Sequence, residues 1–135
     1  MRIRDHEKIH NLVLEIVNTE SFDIECAAYN KIKDICFTNE NTALEHPFQW
    51  ETLGDFTHDD YDRTLSFYFK ALTLANRLNL NEYMASVNLA IAEIYQELSN
   101  FNEAWHFALS AAQSIKNIVL KQEISEVLLE ISKYK

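Results

Sequence analysis

Between residues 82 and 116 the apolar side chains keep a beat of three and four. Met84, Val87, Ile91, Ile94, Tyr95 and Leu98 form one stripe. Trp105, Ala108, Ala112 and Ile115 form a second. That beat belongs to a 3.6-residue helix with one buried side. Ser99-Asn100 separates the stripes and predicts a tight turn between two antiparallel helices. Ala92, Ala104, Ala108 and Ala111 are small enough to let the two axes approach closely.

Ala92 and Tyr95 in the first of these helices, with Ala104, Ala108 and Ala111 in the second, have a spacing that resembles the tetratricopeptide repeat. The run Trp50-x-x-Leu53-Gly54 resembles the start of another such repeat. The resemblance covers roughly residues 47–135 and implies paired helices stacked into an α-solenoid or bundle. Equivalent positions lie 40 residues apart from Ala71 to Ala111 and 36 apart from Ile91 to Val127. These intervals exceed the period of about 34 typical of the family, so the repeats are degenerate. Residues 1–46 are helical without a repeat signature, and they either cap the stack or form a further repeat.

The rest of the chain reads as helix as well. Residues 5–19 place Ile9, Leu12, Val13, Ile16 and Val17 on one face. Residues 22–37, capped by Ser21, place Ile24, Ala28, Ile32 and Ile35 on one side. Pro47 opens a short third helix furnished by Phe48, Trp50, Leu53 and Phe56. An aspartate of the turn His58-Asp59-Asp60 caps a fourth helix over 61–79. That helix carries two stripes, Tyr61, Leu65, Tyr68, Leu72 and Ala75 beside Phe67, Ala71, Leu74 and Leu78, so neighbours bury it on two sides. Phe69 falls off both and is expected to be exposed. Asn81 is expected to cap the fifth helix; the sixth spans about 102–117 and the seventh about 121–134. The whole is one all-α domain of about seven helices.

Composition sharpens this. One glycine and one proline in 135 residues leave no room for a glycine-rich phosphate cradle and argue against a β-rich fold. There is no apolar run of about eighteen residues to cross a membrane, and the charged start does not resemble a signal peptide. Cys26 and Cys36 on one helix would stand about 15 Å apart along its axis. That is beyond the roughly 7 Å a disulfide tolerates, so reduced thiols in a cytoplasmic setting fit best.

The net charge of −9 is unevenly spread. From Asp34 to Asp62 there are eight acids and no Lys or Arg, and between Arg77 and Lys116 four acids and again none. Such a chain repels nucleic acid and anionic membrane and favours a basic partner, or is acidic only for solubility.

Candidate sites divide accordingly. His6 and His10, one turn apart, have the spacing of a metal pair, but a solvated face is the better reading. His58 with Asp55, Asp59, Asp60 and Asp62 has the residue types of an acid–base or metal site, but an acidic turn capping the next helix is the better reading. No nucleophile elbow is present, so no catalytic residue, metal or cofactor is assigned. In a tetratricopeptide stack the first helix of each repeat lines a groove. The resemblance places Phe48, Glu51, Asp55, His58 and Asp59, then Ser86, Leu89, Glu93, Gln96 and Glu97, along it. Family members that clamp a terminal carboxylate use Lys, Arg and Asn there; acids favour a basic ligand.

The partner-binding residues expected are thus Glu51, Asp55, His58, Asp59, Glu93, Gln96 and Glu97. The function expected is a non-catalytic module that binds and neutralises a basic protein. Its most concrete form is a cytosolic immunity protein or antitoxin against a nuclease-type toxin, whose active site must be cationic. A generic repeat adaptor or a peptide-sensing regulator fragment is the alternative, and an enzyme centred on His58 a third.

Overall fold

Polar side chains and three left-handed residues, Asn41, Asn79 and Ser99, punctuate the described residues into helices. The computed structural model describes residues 3–115 and 118–134. Among them it is all-α: α1 (Ile3–Asn18), α2 (Phe22–Asn39), α3 (Pro47–Asp55), α4 (Tyr61–Leu78), α5 (Asn81–Glu97), α6 (Phe101–Gln113) and α7 (Ile118–Ser132). None of the described helices is long and apolar enough to cross a membrane.

Ser21 Oγ accepts from the Ile24 N–H to start α2. His46 Nδ1 accepts from the Phe48 N–H, with Pro47 at the first helical position of α3. Asp60 Oδ1 accepts from the N–H groups of Asp62 and Arg63 to start α4. Each satisfies donors that an α-helix leaves without partners. With a single glycine in the chain, the left-handed residues after α4 and α5 are Asn79 (φ 56°) and Ser99 (φ 59°). Leu80 N–H closes onto Ala75 C=O, and Asn100 N–H onto Tyr95 C=O, the wide bond of a Schellman ending. This corrects the expected role of Asn81. Leu80 is occupied in ending α4, so Asn81 becomes the first residue of α5 and that helix has no side-chain cap. α6 also stops earlier than the periodicity predicts, at Gln113; residues 116 and 117 of the expected span lie outside the described residues.

Successive helices pack on one another, and alternate helices meet in two series. His6 of α1 stacks on Phe48 of α3 (4.4 Å), Ser86 of α5 bonds Glu51 of α3, and Ile124 of α7 joins Ala85 and Leu89 of α5. On the other side Phe37 of α2 meets Phe67 of α4 (6.4 Å), and Phe69 of α4 meets Phe107 of α6 (5.8 Å). The odd helices therefore form one layer and the even helices the other. The α4–α6 contact also explains why Phe69 is half-buried where its position off both stripes predicted exposure.

Trp50 is the hub. It is wholly enclosed, with Phe37 edge-on at 5.2 Å and Phe67 stacked at 6.0 Å. Its Nε1–H donates to Glu45 (2.8 Å). Lys70 Nζ lies 4.5 Å from the indole centre while pairing with Glu40. Both thiols are free on one continuous α2; buried Cys36 donates to Gln49 C=O (3.3 Å), and burial pushes its pKa up to about 12. Trp105, by contrast, is only partly buried, against the alanine-rich α5–α6 seam. Five residues expected on buried stripes, Val17, Ile24, Tyr61, Leu78 and Leu98, are exposed. All lie in a terminal turn or just past a helix end, where no neighbour continues to cover the stripe.

Gly54 ends α3 beneath a ring. A Cβ at this position would lie 2.6 Å and 2.8 Å from Cε1 and Cδ1 of Tyr68. Helix propensity alone would make Gly54→Ala stabilising by roughly 1 kcal/mol. The clash is expected to reverse the sign and leave a net loss of about 1–3 kcal/mol. Thermal unfolding decides between them, since a gain in melting temperature would mean the ring yields freely. Trp50→Ala is expected to cost about 3–5 kcal/mol, as large-to-small changes at enclosed aromatic sites do, and more than Trp105→Ala. Chemical denaturation that ranks the two tryptophans the other way would contradict the hub.

Candidate functional site

α3 and α5 contain no Lys or Arg, and their acids fall on one side. Phe48, Glu51 and Asp55 are spaced i, i+3, i+7; Glu82, Ser86, Glu93 and Glu97 continue the matching stripe on α5. Because α3, α5 and α7 share a layer, these stripes come together. Ser86 Oγ donates to Glu51 Oε2. Tyr68, reaching across from α4, donates to Asp55 Oδ1 (2.7 Å). Tyr61 at the start of α4 donates to Glu97 Oε2 (2.7 Å).

The acids feel one another. Burial pushes the Glu51 carboxyl up to about 7, with Asp55 adding to the effect and the Ser86 bond opposing it. Burial also raises Asp55, against its bond from Tyr68 and the nearby His58. Glu93 is raised by burial, then by Glu123, Glu97 and Asp55. The Tyr68 phenol is raised by burial and by Asp55, Glu51 and Glu93, so it stays a donor. These couplings define one acidic face: Glu51 and Asp55 of α3, Glu93 and Glu97 of α5, and Glu123 of α7. Asp55 and Glu97 are also the last residues of their helices, where the backbone dipole is negative and an anion is least welcome.

The remaining expected residues sit at its margin. Gln96 is half-buried near the end of α5, and its carbonyl accepts from Ser99 N–H. His58 influences Asp55, but with Asp59 it also lines a separate cleft of about 340 Å³ bordered by Phe22, Cys26, Tyr29 and Phe56. Asp59 is paired with Arg63 at 3.1 Å, one turn into α4. Leu89, expected along the groove, is buried between α5 and α7.

Glu123 was not among the expected residues. On α7 it adjoins Ile124 of the apolar stripe, and only the alternation of layers brings it opposite Glu93. Among the described residues no group of three or more His, Cys, Asp or Glu side chains could hold a metal ion. His6, whose spacing from His10 favours a solvated face over a metal pair, stacks on Phe48 and borders a pocket of about 350 Å³ with Glu7, His10 and Asn11.

The chain matches no protein-family model and no curated protein.

The raised Glu51 carboxyl has a definite sign in stability. Its folded pKa of about 7 exceeds its ordinary value of 4.5, so the folded state binds that proton more tightly. The associated stability is fully present below about pH 4.5 and is lost as pH rises through about 7. Asp55 on α3, Tyr83 and Glu82 on α5 and Tyr68 on α4 are the titratable groups around it. Glu51→Gln mimics the protonated form. It is expected to be more stable than wild type by roughly 2 kcal/mol at pH 8, with the gap closing towards pH 4.5. Melting curves in which the gap is flat with pH would show that Glu51 is not held up.

Proposed function

We propose that this chain is a degenerate tetratricopeptide-like module without catalytic function that binds a basic protein through the acidic face of α3, α5 and α7. One observation carries the proposal: Glu51, Asp55, Glu93, Glu97 and Glu123 converge on that face while α3 and α5 carry no Lys or Arg. Repulsion, desolvation and two helix C-termini all weigh against acids here, so a cationic partner would relieve a cost the isolated chain carries. The two layers of alternate helices support the repeat reading, because such stacks bring every second helix onto one surface.

The most concrete partner is a toxin that acts on nucleic acid. Its active site must be cationic to hold phosphate, and a small domain with 21 acids against 12 basic residues could occupy it and exclude substrate. The chain is then an immunity protein or antitoxin, working in the cytoplasm where the toxin would act. The alternative, a repeat adaptor with no inhibitory role, draws on the cleft edged by Phe22, Tyr29 and Phe56, which offers apolar surface beside the charges of Glu25, Asp59 and Arg63.

The two readings part on kinetics. A partner would be recovered by co-purification and its association followed by stopped flow. For the acidic face, raising salt from about 50 to about 500 mM shortens the screening length from roughly 14 to 4 Å and should slow association by about one to two decades. Reversing Glu93 and Glu97 to Lys should slow it further while changing stability by about 0.5 kcal/mol each or less. Association indifferent to both salt and reversal would sink the acidic-face reading and leave the adaptor.

A further inference from the structure

Where α5 and α7 begin, the acidic face contains a pocket of about 260 Å³ lined by Glu51, Glu82, Tyr83, Ser86 and Leu120. It is smaller than the roughly 300–1,000 Å³ typical of sites for whole small molecules, and of a size for one side chain. Its walls differ in kind. Glu51 is a half-buried carboxylate, oriented by the hydroxyl of Ser86. Glu82 is a second carboxylate, exposed at the start of α5. Tyr83 stands beside both, since each raises its phenol, and its ring meets His46 at right angles with centroids 5.0 Å apart. Leu120 adds an aliphatic surface from α7.

We propose that this pocket receives a single lysine side chain of the basic partner, its ammonium at Glu51 and Glu82 and its methylenes along Tyr83 and Leu120. The proposal rests on the basic-partner reading and assigns that partner's anchoring residue. The aromatic and aliphatic walls carry it independently of the acids. A cation is drawn to a tyrosine face, and a lysine stem needs apolar surface to lie on. Two carboxylates alone would serve any cation. Lysine is favoured over arginine because Ser86 already engages Glu51 Oε2, which spoils the parallel two-oxygen grip a guanidinium prefers. An ammonium is a compact charge that needs one oxygen from each carboxylate.

The test uses the full chain, amide NMR spectra and defined probes. Nα-acetyl-lysine methylamide should give saturable shifts centred on Glu51, Tyr83 and Ser86. Its norleucine counterpart, with the same stem and no charge, should give none, and the arginine counterpart should bind more weakly. Glu51→Gln, which keeps an acceptor for Ser86, should weaken the lysine probe by at least about tenfold, as removing one partner of a desolvated charge pair does. Equal binding of norleucine, tighter binding of arginine, an unaffected Glu51→Gln, or no saturable shift would each overturn the lysine pocket. A lysine homopeptide separates this from the parent reading. If it binds in a salt-sensitive way, is weakened by reversal of Glu93 and Glu97, and leaves Tyr83 unmoved, the pocket falls and the acidic face stands. If the lysine amide binds as described and the homopeptide gains nothing from the wider face, the pocket stands and the face falls.

Discussion

Everything in this molecule is hung from the burial of Trp50. It is the point where α2, α3 and α4 meet, and it is satisfied on each side by a different force. Phe37 and Phe67 supply ring contacts, Glu45 takes the indole proton, and Lys70 brings a cation over the ring while held by Glu40. A buried indole N–H without a partner would cost about 1–3 kcal/mol, a large part of what the ring's burial gains, so the seven residues between α2 and α3 matter structurally. They carry both Glu40 and Glu45. With α3 fixed by its tryptophan, Glu51 and Asp55 are fixed too, one residue and five residues further on. The acidic face is thus a by-product of how the core is locked.

That face shows how charge placement and helix stability can pull apart. Carboxylates are stabilising at helix N-termini, and Asp60 uses the rule at α4. Asp55 and Glu97 break it at the opposite poles of α3 and α5, and only α4 has a basic residue in its last turn among the seven helices. The Tyr68 and Tyr61 hydroxyls soften the violation with one hydrogen bond each. They bring no positive charge. The acids are gathered on one face: Glu51 is half-buried, Asp55, Glu93, Glu97 and Glu123 are exposed, and Asp55 and Glu97 are set against the backbone dipole.

Much of this was legible in the sequence because helical periodicity survives in a single chain. The stripes gave the number of helices, Ser21 and an aspartate of the turn His58-Asp59-Asp60 marked two starts, and the spacing of Glu51, Asp55, Glu93 and Glu97 put each pair on one side of its helix. What periodicity lacks is the extent of the covering neighbour. Val17, Ile24, Tyr61, Leu78 and Leu98 keep the beat and still reach solvent, since each lies at an end that the next helix does not overlap. Asn81 was misread because cap preference is local, whereas the two-residue link before it is already spent on closing α4. Glu123 was missed for a longer-range reason. Its place opposite Glu93 depends on α5 and α7 lying in one layer, a relation between segments that neither segment encodes alone.

The contact between Gly54 and Tyr68 has a consequence for how such a chain can change over time. The ring fills the space a Cβ would need, and its hydroxyl reaches past to Asp55. Any larger residue at 54 demands a smaller one at 68, and a smaller one at 68 strands Asp55 without its donor. The three positions therefore form a single heritable unit: in any lineage descended from this chain they should drift together or not at all, and their joint substitution would signal that the acidic face had been given up.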